Sequence, residues 1–135
     1  MTAAKVLDSF AVIAFFENEP GAEQVGKMLK QARDDDAHLL MSVVNWGEVY
    51  YILKRASGVE AAERALSALA TLPVAVVPAD ADLTLAAARI KSERKMSYAD
   101  CFAAALAKTR KAELVTGDRE FEEVAGQVKI AWLKR

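Results

Sequence analysis

Four acidic residues from distant parts of the chain are the best candidates for chemistry: Asp8, Glu48, Asp100 and Asp118. Carboxylates that share one site repel each other, which raises their pKa values unless a cation or a helix N-terminus offsets the charge. A site built only from oxygen ligands suits Mg²⁺ or Mn²⁺ better than zinc. Such an ion can activate water and clamp the attacking and leaving oxygens of a phosphodiester. If the four acids meet, they predict metal-dependent phosphodiester hydrolysis.

Local sequence signals place two of these acids at one edge of a sheet. Ser97 is a predicted helix N-cap, and Asp100 stands three residues later, in the first turn of that helix. The short apolar run Leu114–Val115 predicts a buried strand, which the Thr116–Gly117 turn ends just before Asp118. Because parallel strands end and their crossover helices begin at the same edge, Asp100 and Asp118 should lie close together.

The other two acids are expected at the same edge. Asp8 directly follows a predicted first strand, Lys5–Leu7. Ser42 caps a predicted helix, and Glu48 lies six residues past that cap, which is about 9 Å along the helix axis. The only histidine, His38, precedes the second strand and is expected at the opposite edge.

The rest of the chain alternates strands with helices, which predicts an α/β fold: a three-layer α/β/α sandwich with a mostly parallel central sheet. We interpret residues 1–135 as a single domain, with a helical pair at about 43–72. The predicted strands are Lys5–Leu7, Leu39–Met41, Val74–Val77, Leu114–Val115 and Val128–Trp132. The predicted helices are Phe10–Phe16, Ala22–Arg33, one from Ser42 to Gly58, Ala61–Leu72, Ala79–Lys95 and one capped by Ser97.

The composition excludes several classes of protein. The chain has 135 residues, 53% of them hydrophobic, and a net charge of −1, so it can bury a core but is not a uniformly basic nucleic-acid binder. The longest apolar run, Phe10–Phe16, is too short for a membrane span. The single Cys101 cannot form an internal disulfide, which suits a cytoplasmic protein.

Polar and basic residues beside the acids are candidates for supporting roles. Asn45, Ser97 and Thr116 could orient carboxylates or hold water, although capping is the usual role of such residues. Arg94, Lys95 and Arg119 lie near the predicted edge and could steady a phosphate, although a solvated surface charge is the better explanation for each one singly.

Each acid also has a structural explanation. Asp8, Asp100 and Asp118 all stand where a helix or turn needs a capping carboxylate. Glu48 lies too far into its helix to cap it, and Arg55 is a possible ion-pair partner. The joint pattern favours a shared site, and the single residues leave both explanations open.

Four segments in this order and spacing resemble the PIN domain family, and within it the VapC-type toxins of bacterial toxin–antitoxin pairs. They are Val6–Ser9, Asn45–Val49, Ser97–Cys101 and Thr116–Phe121. The resemblance covers nearly the whole chain. Where the family often has a small polar residue two places after the first aspartate, this chain has Phe10.

The resemblance implies a Mg²⁺- or Mn²⁺-dependent endoribonuclease in which Asp8, Glu48, Asp100 and Asp118 bind metal and activated water attacks the phosphorus. It further implies that Thr116 is the hydroxyl beside the last metal-binding acid and that Glu120 is an additional acid. It also implies a homodimer and a cognate antitoxin that grips the helical pair from Val43 to Leu72, with possible higher assembly of toxin and antitoxin.

Two other functions fit the same residues. The site would also permit a nuclease directed at DNA, or a small phosphodiesterase, because two-metal chemistry does not need the 2′-hydroxyl of RNA. A non-catalytic α/β binding module, with the carboxylates as caps, is the alternative from a different class. Comparing RNA with DNA substrates distinguishes the ribonuclease from a nuclease directed at DNA. A Mg²⁺ titration of thermal stability distinguishes both from a non-catalytic module, which should show no Mg²⁺-linked stabilisation.

Overall fold

Five short strands form one sheet in the computed structural model, which describes residues 3–135. The strands are β1 Lys5–Leu7, β2 Leu39–Ser42, β3 Val74–Val77, β4 Glu113–Thr116 and β5 Ile130–Trp132. The helices are α1 Ser9–Phe16, α2 Ala22–Asp34, α3 Val43–Ser57, α4 Val59–Leu69, α5 Ala81–Glu93 and α6 Tyr98–Arg110, with a 3₁₀ helix at Arg119–Val124.

The strand order is β3-β2-β1-β4-β5, and every neighbouring pair is parallel. The predicted mostly parallel sheet is therefore confirmed, and it is parallel throughout these five strands. The chain adds β2 and β3 on one side of β1 and then crosses over to place β4 on the other side. A crevice forms at the carboxyl ends of β1 and β4 where the order reverses, and ligands of open α/β sheets bind at such points.

Alternating side chains of the central strands contact two separate helical layers, as the two-residue period of a strand requires. Val6 and Leu114 pack into a core with α5 and α6. Leu7 and Val115 face the other way, into a core formed with α1, α2, α3 and α4. The predicted three-layer α/β/α architecture is confirmed.

Helix α6 is the most deeply buried helix, and it carries Asp100. All residues from Asp100 to Ala107 are buried, and four of them are alanines, whose small side chains let the helix lie close to its neighbours. Ser97 caps the helix, accepting a hydrogen bond from the Asp100 backbone N–H. The packing and the cap together hold Asp100 at the sheet edge.

Several predicted helix boundaries were wrong by a few residues. Helix α4 begins at Val59 rather than Ala61 because Gly58, with a φ of 95°, ends α3 and leads directly into α4. Helix α5 begins at Ala81 rather than Ala79 because Asp80 caps it, accepting a hydrogen bond from the Leu83 N–H. Within residues 3–135, no helix combines the length and apolar character needed to cross a bilayer.

Candidate metal centre

A cavity of about 450 Å³ lies at the carboxyl edge of the sheet. Five carboxylates line it, and no lysine or arginine does so in the described part of the chain. An apolar wall formed by Phe10, Ile13 and Ile52 also lines this cavity. The carboxylates are Glu19, Glu48, Asp100, Asp118 and Glu120. A site with this many acids and no basic residue is electrostatically incomplete without a cation.

Three of these acids lie closest together. Carboxylate oxygens of Asp100, Asp118 and Glu120 are all within 4.8 Å of one another. Two oxygens on opposite sides of an octahedral Mg²⁺ ion are about 4.2 Å apart, so small side-chain movements would bring this set into coordinating distance. The oxygen donors and their spacing therefore fit a hard divalent cation.

Asp8 lies behind this cavity and is only 1% exposed. One carboxylate oxygen accepts a hydrogen bond from the Ala11 N–H at 2.8 Å, and the other accepts one from the Thr116 hydroxyl at 2.5 Å. The pKa of Asp8 is raised to about 8, chiefly by burial; the negative charges of Asp100 and Asp118 contribute to the increase, and the hydrogen bonds from Thr116 and Ala11 oppose it. Asp8 thus caps α1 and lies within electrostatic range of Asp100 and Asp118.

Thr116 connects Asp8 to Asp118. Its hydroxyl donates to Asp8 and accepts a hydrogen bond from the Asp118 N–H at 3.0 Å. Asp118 in turn accepts a hydrogen bond from the Glu120 N–H at 2.9 Å and so caps the 3₁₀ helix. This chain of bonds fixes the turn that carries Asp118 and Glu120.

Asp100 is 8% exposed and faces the other acids. Its pKa is raised to about 7, chiefly by burial, and further by the charges of Asp118, Glu48 and Glu120, whereas a hydrogen bond with Ser97 lowers it. An elevated pKa produced by burial and like charge is expected of a carboxylate cluster whose counter-charge is an ion.

Glu48 is held by Asn45 rather than by Arg55. The Asn45 side-chain amide donates to Glu48 Oε1 at 2.9 Å and to the Ala99 carbonyl at 3.2 Å. It therefore joins α3 to the start of α6, which carries Asp100. The Arg55 guanidinium lies over the Tyr51 ring instead, 5.2 Å from its centre. The structure thus places Asn45 beside one of the four acids, Glu48.

Phe10 packs directly on the turn between Thr116 and Asp118. A Cβ atom on Gly117 would lie 2.3 Å from Cε1 of the Phe10 ring, closer than two carbon atoms can approach. A side chain at position 117 would therefore require the Phe10 ring or the turn to move. The sequence contained both residues, but only the fold shows that they touch.

The three basic residues predicted near substrate do not line the cavity. The Arg119 guanidinium lies 4.5 Å from the centre of the Trp132 ring and 3.6 Å from Glu122 Oε1. Arg94 and Lys95 are exposed in the segment between α5 and α6. His38 is also exposed, at the start of β2, as predicted.

Sequence reasoning missed two features of this region. The apolar wall includes Ile13 and Ile52, which resemble ordinary core residues in the sequence. Glu19 lies in a helix-breaking segment, and no local signal links it to the other acids. Both features depend on how α1 and α3 pack at the sheet edge.

Comparison with known proteins agrees with this architecture. A family model for the PIN domain matches residues 5–127. The chain belongs to the PIN domain family. That match includes the segments around Asp8, Glu48, Asp100 and Asp118. No curated protein sequence matches this PIN domain.

Solved structures with the same fold include VapC toxins and VapBC complexes. VapC20 of Mycobacterium tuberculosis, a sarcin–ricin loop cleaving toxin, superposes with a TM-score of 0.70 at 21% identity, covering 93% of this chain and 98% of that one. VapBC2 of Rickettsia felis, solved with a promoter DNA fragment, has a TM-score of 0.78 at 14% identity, covering 97% and 99%. DNA-bound VapBC of Salmonella typhimurium has a TM-score of 0.78 at 18% identity, covering 96% and 97%.

Proposed function

We propose that this PIN domain is a Mg²⁺- or Mn²⁺-dependent endoribonuclease and the toxin of a cytoplasmic toxin–antitoxin pair. The observation that carries the proposal is the cavity of five carboxylates with no basic residue in its lining. The pKa values of about 8 for Asp8 and about 7 for Asp100 support it, because burial and mutual repulsion of carboxylates raise them and a bound cation would stabilise the ionised forms.

Asp100, Asp118 and Glu120 would hold the ion, since their oxygens already lie within 4.8 Å of one another. Glu48 would join these acids from α3. Asp8 would support Asp118 through Thr116, whose hydroxyl donates to Asp8 and accepts from the Asp118 N–H. The ion would supply Lewis-acid activation of water and of the phosphodiester. Asn45 and Ser97 orient Glu48 and Asp100 through hydrogen bonds.

An antitoxin and a second copy of the chain are the expected protein partners. Several relatives with this fold were solved as VapBC complexes. In this chain, a second cavity of about 270 Å³ lies between the end of α1 and the helices α3 and α4. Phe16, Leu53 and Ala65 contribute apolar surface to it. This cavity borders the helical pair predicted to receive the antitoxin.

The test is cleavage of matched RNA and DNA oligonucleotides by the parent chain and by Asp100→Asn. We expect Mg²⁺-dependent cleavage of RNA, and a loss of about 10³-fold in Asp100→Asn, equivalent to roughly 4 kcal/mol in activation free energy. Asp82→Asn is the matched control, because Asp82 is also a first-turn acid but lies in α5. The same variants should respectively relieve and retain growth arrest on expression.

Thermal unfolding with Mg²⁺ supplies the second readout. Saturating Mg²⁺ at 100 times its dissociation constant should stabilise the parent by about 2.7 kcal/mol, and Asp100→Asn should lose most of this gain. Equal cleavage by Asp100→Asn would refute the nuclease proposal. Faster cleavage of DNA would favour the DNA-directed alternative, and the absence of any Mg²⁺-linked stabilisation would favour a non-catalytic module.

A further inference from the structure

A smaller cavity adjoins the acidic one. It has a volume of about 190 Å³, and its lining includes Phe10, Glu19, Lys134 and Arg135. Phe10 and Glu19 line both cavities, so these two side chains form the boundary between them. The acidic site thus has a neighbouring compartment with two basic residues.

The C-terminal segment is held in place beside the site. The Leu133 N–H donates to the Thr116 carbonyl at 2.9 Å, and the Lys134 N–H donates to Gln24 Oε1 at 2.9 Å. The Leu133 side chain is buried against Gly21, where an added Cβ would lie only 3.1 Å from the Leu133 Cβ. Because Thr116 also bonds Asp8 and the Asp118 backbone, Lys134 and Arg135 are anchored to the strand that carries the acidic turn.

Both basic side chains are available to a ligand. Lys134 and Arg135 are exposed, and neither forms an ion pair with another residue in the range 3–135. A cavity of five carboxylates repels an RNA strand except where an ion neutralises it. Cations next to that cavity would attract the part of the strand that does not contact the ion.

Resting on the nuclease function proposed above, we propose that Lys134 and Arg135 form a phosphate subsite for the substrate RNA strand. They bind a backbone phosphate adjacent to the one held at the carboxylate cluster. Phe10 lies between the two positions and provides an aromatic surface for a nucleobase, which stacks on such rings irrespective of its identity. Both residues lie outside the segment 5–127 that the family model matches.

The test replaces both residues, as Lys134→Gln with Arg135→Gln, and measures kcat and KM for RNA cleavage at several salt concentrations. We expect KM to rise about tenfold with kcat within about twofold of the parent, because an interaction made equally in substrate and transition state affects KM alone. The slope of log KM against log salt should fall by about 0.7 for each phosphate that the variant no longer neutralises. Mg²⁺-linked thermal stabilisation should not change.

Two controls define the charge effect. Arg110→Gln with Lys111→Gln removes the same charge from an adjacent exposed pair at the end of α6, at the opposite sheet edge, and should leave KM unchanged. Glu19→Gln removes a negative charge from the boundary between the cavities and should lower KM. A rise in KM with Glu19→Gln would contradict a strand path across this boundary.

RNA binding measured with variants that also carry Asp100→Asn separates this proposal from the nuclease proposal. If replacing Lys134 and Arg135 in such a variant lowers its affinity for a fluorescent RNA oligonucleotide, the subsite is supported whether or not the parent cleaves RNA. If the parent cleaves but the pair variant keeps its KM and salt slope, the subsite is wrong and the nuclease function stands. If the parent does not cleave RNA, the nuclease proposal fails, and unchanged affinity in the binding assay would overturn the subsite as well.

Discussion

Asp8 and Asp80 perform the same local task in two very different surroundings. Each follows a parallel strand and caps the next helix, accepting a hydrogen bond from the N–H three residues later, at 2.8 and 2.9 Å respectively. Asp8 is 1% exposed and close enough to Asp100 and Asp118 for their charges to raise its pKa. Asp80 is exposed.

The strand order explains this difference. Asp8 follows β1, at the centre of the sheet, whereas Asp80 follows the edge strand β3. The chain places β2 and β3 on one side of β1 and β4 on the other side. Strand β4 and helix α6 therefore bring Asp118 and Asp100 close to Asp8. A capping aspartate is a general solution to the unpaired N–H groups of a helix start. It becomes part of a charged site only where other acidic segments converge on it.

Replacing these two caps by asparagine should affect activity very differently. Asp8→Asn should reduce Mg²⁺-dependent RNA cleavage by about 10³-fold, equivalent to roughly 4 kcal/mol, because it removes charge from the acidic site. Asp80→Asn should leave cleavage unchanged and alter stability by less than about 0.5 kcal/mol, since asparagine is an equally good N-cap. Steady-state cleavage and urea unfolding measure both effects. Equal activity of the two variants would show that Asp8 is only a cap.

The pH dependence of stability tests the same contrast in the metal-free protein. The pKa values of Asp8 and Asp100 are raised to about 8 and about 7, whereas an unfolded aspartate titrates near about 3.9. Between these values the folded state retains protons that the unfolded state has lost, so the free energy of unfolding falls as pH rises. Each unit of pKa shift corresponds to about 1.4 kcal/mol. We expect the free energy of unfolding to decrease by about 3 kcal/mol between pH about 5 and pH about 9, which is less than the full shifts imply because the fold relaxes around ionised carboxylates.

Mg²⁺ and Asp8→Asn should both reduce that decrease. The ion favours the ionised carboxylates, and the substitution removes one of the two titrating groups. Asp80→Asn should keep the full decrease. Urea unfolding at a series of pH values, with Mg²⁺ and with a chelator, provides the measurement. Stability that increases from pH about 5 to pH about 9 in the chelator would contradict the buried acidic cluster.

A comparison of two glycines should give a smaller effect. In Gly117→Ala the new methyl group collides with Phe10, so the ring or the turn carrying Asp118 must move, and we expect RNA cleavage to fall by about 30-fold through displacement of that turn. Gly47→Ala is the control, because a Cβ there meets no atom within 4 Å. It should retain activity and stabilise α3 by up to about 1 kcal/mol. The effect of Gly117→Ala should shrink when Phe10→Ala is also present, and an equal loss in that background would exclude the ring contact as its cause.

Much of the fold followed from local pattern. The apolar runs predicted all five described strands, and Ser42, Gly58 and Ser97 are caps or breakers where predicted. Boundaries such as the start of α5 were less predictable, because Ala79 and Ala81 are equally suited to a helix. Only the capping bond of Asp80 selects between them.

The candidate site was predictable in part. The positions of Asp100 and Asp118 at one edge followed from strand and helix signals, and the structure places both beside the same cavity. Glu48 lines that cavity as well, whereas Asp8 lies behind it. The close approach of Glu120 to Asp100 and Asp118 depends on the 3₁₀ turn that Asp118 caps. The Phe10 wall and the basic compartment at Lys134 depend on contacts between residues far apart in the chain.

The sequence by itself determined which residues are acidic, which of them begin helices, and that a parallel α/β sheet would carry them, because these properties depend on neighbours within a few positions. Only the tertiary structure decided which capping acid became buried among other carboxylates and which stayed in solvent. The physical reason is that burial and mutual repulsion depend on distances across the fold, and strand order sets those distances.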